Sequence, residues 1–474
     1  MRGQRYCFFL PNHLAVLRFS LTAPCAQATD WCLYQQAKAS RAVRQHLSIS
    51  MVINEHTYLC RTSNRQPPLI FDDQLRSKHF FVLGDVASKA WLLVYDNLLR
   101  QDIMRGGGVT LVDFTGDLSP RILNAIPPER VKDTVYADFG DRTYIPGLNV
   151  LPQVERDSRP LLARQLSDLL KGIWGEGIRD LSDWIAYNTI RTHLEVPGAL
   201  LPGLTKIFVH DDYRAMVLAQ VKDPFILDFW NDEFDKWTPN YRIEAISPIR
   251  NKLGQLINDP YIRNPLCATH RNLDFNEVIK SGKILIANLN SRANGRKTAQ
   301  LLGSIFLALH HIADQESKIA GGRRHHLYVT NIDEYPPALF DRLITDSKHV
   351  SATVETTHTG RLDPEVLETL LTQIGALAAF NVNATDAELL RRTFGAPEAT
   401  AFVGWTPEDF YVRLPTYSAP LSVAMLKPND CRKLGLGTPR YFRQRSIINH
   451  SRDQFMNPRV RIERAIHRWR KQWA

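Results

Sequence analysis

An aspartate and a glutamate stand side by side at Asp333 and Glu334, directly after the apolar run Tyr328-Val329-Thr330-Asn331-Ile332. Paired carboxylates at the end of a buried strand are candidates for phosphoryl-transfer chemistry, which depends on positioning and charge stabilisation. The competing reading is a helix N-cap ahead of Pro336 and Pro337, and the strand before the pair favours catalysis. Far upstream, Phe80 to Leu83 ends at Gly84 and gives way to Asp85-Val86-Ala87-Ser88-Lys89-Ala90, then to the helix-like Trp91-Leu92-Leu93-Val94. A strand-to-helix turn carrying Gly84, Ser88 and Lys89 could meet phosphate oxygens with backbone amides, a hydroxyl and an ammonium. A working loop of this kind reads GxxxxGK[ST]; here the second glycine is missing and Ala90 replaces the hydroxyl that holds magnesium. By itself the stretch is only a tight turn.

The elements that must position these residues alternate short apolar runs with longer helical patterns, which predicts a parallel sheet wrapped by helices. The expected strands are Phe80 to Leu83, Val109 to Asp113, Thr134 to Asp138, Lys283 to Leu289, Leu327 to Ile332, Ala352 to Thr356 and Ala376 to Val382. Between the third and fourth lies a Trp- and Leu-rich stretch of helical spacing, read as an inserted subdomain. The expected division is residues 1–50 as an N-terminal segment, 51–159 and 265–426 as the two halves of the core, 160–264 as the helical insertion and 427–474 as a peripheral basic region. At 474 residues the chain is long enough for two or three such substructures.

Further segments change what the turn after Gly84 implies. The next strand ends in Leu111-Val112-Asp113-Phe114-Thr115-Gly116-Asp117, followed by Ile126-Pro127-Pro128-Glu129-Arg130 and Ile145-Pro146-Gly147-Leu148-Asn149-Val150-Leu151. Then come Asp211-Asp212-Tyr213-Arg214, Val221-Lys222-Asp223-Pro224, Phe229-Trp230-Asn231-Asp232-Glu233-Phe234, Asn251-Lys252-Leu253-Gly254 and Gly282-Lys283-Ile284-Leu285-Ile286-Ala287-Asn288-Leu289. In this order and spacing, over about Arg76 to Leu426, they resemble the type IV secretion conjugative DNA-transfer family, the coupling proteins, with their FtsK and HerA relatives. The resemblance implies an α/β, RecA-like P-loop NTPase core with a mainly parallel sheet, an inserted helical subdomain and a basic C-terminal tail. It also implies ATP and Mg2+ as cofactors, Asp333 as the metal carboxylate, Glu334 as its catalytic partner, and Gly84, Ser88, Lys89 and Asp113 at the nucleotide. DNA, a homo- or hetero-hexamer with intact ATPase relatives, and secretion-channel proteins are the implied partners.

Two more positions depart from the family pattern. Lys348 stands where an arginine is usual, and a lysine offers no planar bidentate fork. Thr357 is read at the place of a phosphate-sensing glutamine. Loss of one preorganised electrostatic donor is worth about 3–4 kcal/mol, or roughly a hundred- to thousand-fold in rate, so two or three losses leave little hydrolysis. Lys89 could still reach a phosphate if the following helix begins one residue early.

The formal net charge is +10, and Cys431 to Ala474 holds 12 Lys/Arg against Asp453 and Glu463, so the whole excess sits in this stretch. Arg443, Arg445, Arg459, Arg461, Arg468 and Arg470 are the candidate nucleic-acid contacts, with a solvated helix face as the alternative. Interleaved Tyr441, Phe442, Trp469 and Trp473 could be stacking platforms or helix packing. The six cysteines form no CxxC pair, which disfavours zinc and a disulfide framework. No apolar run approaches the roughly 20 residues that span a bilayer, so the expected location is cytoplasmic or peripheral at the inner face of the membrane. Three readings stay open: a DNA-transfer-family subunit impaired in ATP hydrolysis, an active hexameric DNA-pumping ATPase, and a DNA-binding module acting through its tail.

Overall fold

The computed structural model describes residues 57–62, 68–84, 91–174, 180–317, 324–394, 409–414, 421–424 and 442–473. In chain order the strands are β1 (Thr57–Thr62), β2 (Pro68–Phe71), β3 (His79–Leu83), β4 (Val109–Asp113), β5 (Thr134–Asp138), β6 (Tyr144–Pro146), β7 (Ile284–Asn288), β8 (His325–Val329), β9 (Val350–Thr356), β10 (Ile374–Ala379), β11 (Asp409–Arg413), β12 (Leu421–Ala424) and β13 (Met456–Pro458). Eleven of them form one sheet in the order β2-β1-β12-β11-β10-β3-β9-β8-β4-β7-β5. The block from β10 to β5 is parallel throughout. It consists of the seven strands expected from the sequence. The flank β11, β12, β1 and β2 is antiparallel and was not foreseen.

Strands covered on both faces read as continuous apolar runs, and all residues of β4 and β9 are buried. Alternate side chains feed two cores. Phe80, Val82, Val109, Leu111 and Tyr328 face helix α1 (Trp91–Met104) and α2 (Ser119–Ala125). Phe81, Leu83, Val112, Leu285 and Val329 face the other way, towards the large core that includes the insertion and α8 (Arg296–Glu316). The insertion itself holds α3 (Arg159–Trp174), α4 (Asp180–His193), α5 (Asp211–Leu218), α6 (Pro239–Asn258) and α7 (Pro260–Leu266). Helices α6 and α7 start on side-chain caps followed by proline: Thr238 accepts from the Tyr241 N–H and Asp259 from that of Tyr261. Trp230, wholly buried among Phe208, Phe229 and Phe234, donates its indole N–H to Thr192 Oγ1 at 2.9 Å.

After β8 come α9 (Pro337–Thr345), α10 (Pro364–Gln373), α11 (Ala384–Phe394), α12 (Phe442–Phe455) and α13 (Arg459–Gln472). The basic region is docked rather than detached. β13 pairs with β6, and Ile447, Met456, Ile462 and Ile466 are buried. Trp469 and Trp473 lie edge-on to Tyr213 of α5, so these two indoles are helix packing and not open stacking platforms. No helix among the described residues is long and apolar enough to cross a membrane.

β4 and β7 enter the sheet through a close approach. A Cβ on Gly108 would sit 2.5 Å from His325 Nδ1 and 2.8 Å from the Gly282 Cα, both without room to yield. Gly108→Ala is expected to destabilise the fold by about 1–3 kcal/mol, read as a lower urea midpoint at unchanged slope.

Candidate functional site

Gly84 continues β3, and its N–H donates to the carbonyl of Thr356, the last residue of β9, at 3.1 Å. The turn that leaves β3 is thereby tied to the carboxyl end of the neighbouring strand, where ligands of open α/β sheets bind. Ser88 and Lys89 lie outside the described residues. The second turn of α1 is fixed to the sheet by Tyr95, whose hydroxyl lies 2.9 Å from the Val329 carbonyl and 3.0 Å from that of Thr353.

On the far side of β9, β8 stops at Val329, earlier than expected. Asn331 takes the left-handed conformation at φ 55° and turns the chain into the short helix Ile332–Glu334. Its N–H donates to Glu355 Oε2 at 2.9 Å. Asp333 has a side chain only 1% exposed, and it accepts from Thr356 Oγ1 at 2.9 Å and from an Arg361 amine at 3.4 Å. Glu334 accepts from Arg296 Nε at 2.6 Å and Gln300 Nε2 at 2.8 Å, both on the first turns of α8. Gly84, Thr356, Asp333 and Arg361 therefore form one chain of contacts across β3, β9 and the turn after β8. Thr356, one residue before Thr357, is the hydroxyl that meets Asp333.

Glu355 adds a buried acid to this end of the sheet. It is fully enclosed, its Oε1 has no hydrogen-bond partner, and burial together with the nearby Asp333 charge pushes its carboxyl up to about 8.

Asp113 is buried at the end of β4, and both oxygens are engaged: Oδ1 by the Gly116 N–H, Oδ2 by the N–H groups of Leu118 and Ser119 and by Ser119 Oγ, at 2.7–3.0 Å. Asp113 thus builds its own turn and starts α2. Lys348 sits before β9, at the opposite end of the sheet from Asp333, with its Nζ on the Gln315 carbonyl near the end of α8 at 3.0 Å.

The six tail arginines divide. Arg443 donates to the Ile126 carbonyl at 2.6 Å, and Arg459 pairs with Glu463 at 2.7 Å. Arg445, Arg461, Arg468 and Arg470 are exposed. On α13, exposed Arg461, Arg464, Arg468 and Lys471 recur at i, i+3, i+7 and i+10, a single stripe opposite buried Ile462 and Ile466. Neighbouring Arg452 of α12 is held by Asp141 through two contacts of 3.0 and 2.6 Å.

The strand order around β3, with β9 between it and β8, together with the acidic turn after β8, defines a RecA-like α/β core. Several solved structures share this fold. The bacterial conjugative coupling protein TrwB, in a trigonal form with sulphate, superposes at TM-score 0.58 with 10% identity, over 75% of this chain and 87% of that one. TrwB in complex with ADP and Mg2+ gives 0.57 at 13% identity over 75% and 87%. VirB4 of Thermoanaerobacter pseudethanolicus gives 0.52 at 13% identity over 80% and 98%. No family model matches the sequence, and no curated protein does. At these identities the likeness is one of fold.

Sequence reasoning missed Thr356, Arg361, Arg296, Gln300 and Glu355. Only the strand alternation offered a signal, since it places Thr353 and Glu355 on the face opposite Ala352 and Val354.

Proposed function

We propose that this chain is a DNA-transfer subunit of the conjugative coupling-protein type, impaired in ATP hydrolysis and acting on DNA or in assembly of a larger motor. The observation that carries the reading is the pairing of an ordered acidic turn, Asp333 and Glu334 beside Gly84 and Thr356, with a phosphate loop sequence lacking its second glycine and its magnesium hydroxyl. ATP with Mg2+ is the proposed ligand. The donors fit a hard cation, since Asp333 and Thr356 offer oxygen only. Among the described residues no three acidic, histidine or cysteine side chains cluster to hold a metal, so the ion would take most ligands from phosphates and water, as Mg2+ commonly does.

Within that reading Asp333 would bind the cation through its shell and Glu334 would orient water. Magnesium would supply charge neutralisation at the phosphates. Arg296 and Gln300 both engage Glu334 Oε2, and this fixes the carboxylate on the α8 side of the cleft. A secretion channel and a hexamer with catalytically intact relatives are the proposed setting. An active hexameric pump is the second reading, favoured by the retained Asp333–Glu334 pair.

The deciding experiment is titration calorimetry with Mg·ATP beside a phosphate-release assay with and without single- and double-stranded DNA. Binding without DNA-stimulated release is expected; release that rises with DNA and vanishes in Glu334→Gln would replace the impaired subunit by the pump. DNA contact is assigned to the α13 stripe. Replacing Arg461, Arg464 and Arg468 together by alanine is expected to lower the salt dependence of DNA affinity by about 3 in slope, from roughly 0.9 per phosphate contact. An unchanged slope would remove α13 from the interface.

A further inference from the structure

We infer that Arg361 is a phosphate-binding residue of the nucleotide site, parked on Asp333 until a magnesium nucleotide displaces it. The inference rests on the nucleotide reading above and assigns within it a residue that the motif pattern does not mark.

The argument begins with a mismatch of environments. Asp333 is a nearly inaccessible carboxylate with a side chain 1% exposed, whereas Arg361 is 57% exposed and touches it at 3.4 Å through one amine. A structural ion pair to a buried acid would be expected to be short and itself enclosed, as the Arg191–Glu195 pair of this molecule is at 2.7 Å with side chains 4% and 3% exposed. Arg361 instead makes one long contact and leaves most of its side chain exposed.

The turn that carries it is built with unusual care for a surface segment. His358, Thr359 and Asn383 all converge on Asp386, which is fully buried at the start of α11. Its carboxylate accepts from the Thr359 N–H and Oγ1 and from Asn383 Nδ2 at 2.8 Å, with His358 Nδ1 at 2.9 Å. The Asp386 N–H in turn meets Asn383 Oδ1 at 2.9 Å. A Cβ on Gly360 would strike the His358 ring at 2.8 Å, so the turn is closed tightly upon itself. Such a shell of supporting contacts fixes where the Arg361 backbone stands, while leaving its long side chain able to move.

Position completes the case. Asp333 is bridged to β9 by Thr356, and the Thr356 carbonyl holds the Gly84 N–H at the point where the chain leaves β3. The guanidinium is therefore at the same strand ends as the phosphate turn. A divalent cation drawn to Asp333 would repel Arg361 from it. The released fork would then face the outer phosphates, where a planar bidentate donor is apt.

The test is calorimetric binding of Mg·ATP and Mg·ADP to the full chain and to its Arg361→Ala and Arg361→Lys variants. Arg361→Ala is expected to weaken Mg·ATP at least tenfold and Mg·ADP less than threefold, with Arg361→Lys in between and all melting temperatures alike. If Arg361 merely neutralises Asp333, its removal frees the carboxylate for magnesium, and ATP and ADP will bind equally well or more tightly. That outcome overturns the assignment. Parent protein that takes up neither nucleotide would instead remove the nucleotide reading itself, and this role with it.

Discussion

Between pH 7 and pH 5 the folded chain is expected to lose on the order of 8 kcal/mol of stability, enough to bring many domains to their unfolding midpoint. The cause is a set of histidines buried in neutral form. Burial lowers His79, His193 and His326 to about 4 and His310 to about 3, and it lowers His325 as well. The contacts in place suit neutral rings: His193 donates to the Thr189 carbonyl at 2.8 Å, and Thr110 Oγ1 bridges the Nε2 atoms of His310 and His325 at 3.2 and 2.8 Å, while Nδ1 of both rings is buried without a partner. Their neighbours do not rescue the charged form. His310 faces His311 and His325, while His326 has Asp102 at 4.0 Å but also Arg76, Arg105 and Arg324.

The sign follows from the direction of the shifts. The folded values lie below the unfolded value near 6.5, so the unfolded chain binds more protons between about 4 and 6.5. Stability is full above that window and falls as pH drops through it. Each of the four histidines with a stated value contributes about 2 kcal/mol at pH 5, which sums to about 8. Asp102 and Glu195, held below the usual carboxylate range by arginine partners, would add their losses only at lower pH. Urea midpoints measured from pH 7.5 to 5 should fall steeply, and His310→Gln should flatten the slope by about 1.4 kcal/mol per unit. A midpoint that hardly moves over this range would refute the account.

Glu355→Gln should act at the other end of the pH scale and with the opposite sign. The folded carboxyl titrates near 8 against 4.5 for an ordinary glutamate, so its neutral form belongs to the folded state. Stability tied to this group is complete below 4.5 and drains away as pH rises through 8. A glutamine keeps the acceptor for the Asn331 N–H without the ionisation. The variant is therefore expected to be more stable than the parent by on the order of 5 kcal/mol at pH 9, with the gap closing below pH 5. Parallel stability curves for the two proteins from pH 5 to 9 would show that Glu355 ionises freely in the fold.

The parallel block was legible because strands covered on both faces must be apolar along most of their length, as Val109 to Val112 with Thr110, and Ile284 to Ala287, are. The flank was not. β1 reads Thr-Tyr-Leu-Cys-Arg-Thr and pairs with β12 in a register Arg61 to Ala424, a partner more than 360 positions away that no local pattern encodes. The acidic turn was legible by its position after a strand, and so was Asp113 at the end of β4. The same strand-end signal fits a ligand and a turn anchor alike, and only the Gly116 and Ser119 donors distinguish them. Thr356 was missed by one place because alternation ends where the strand does. Arg361 carried no periodic or motif signal at all. The tail tryptophans were read as packing or stacking, and Tyr213, supplied by the insertion, decides for packing.

The docking of the last helices has a consequence for how the protein is made. The Tyr136 N–H of β5 donates to Ser451 Oγ, β6 pairs with β13, and Asp141 takes its arginine from α12. β3, among the first strands to emerge, lies between β9 and β10, synthesised some 270–300 residues later. At about 5–20 residues per second, the apolar faces of Phe80 to Leu83 and Val135 to Ala137 stay uncovered for tens of seconds on the ribosome. Contacts this distant in sequence also fold slowly. Nascent chains that end before α12 should therefore be customers of chaperones, and soluble yield should depend more on translation speed than on final stability.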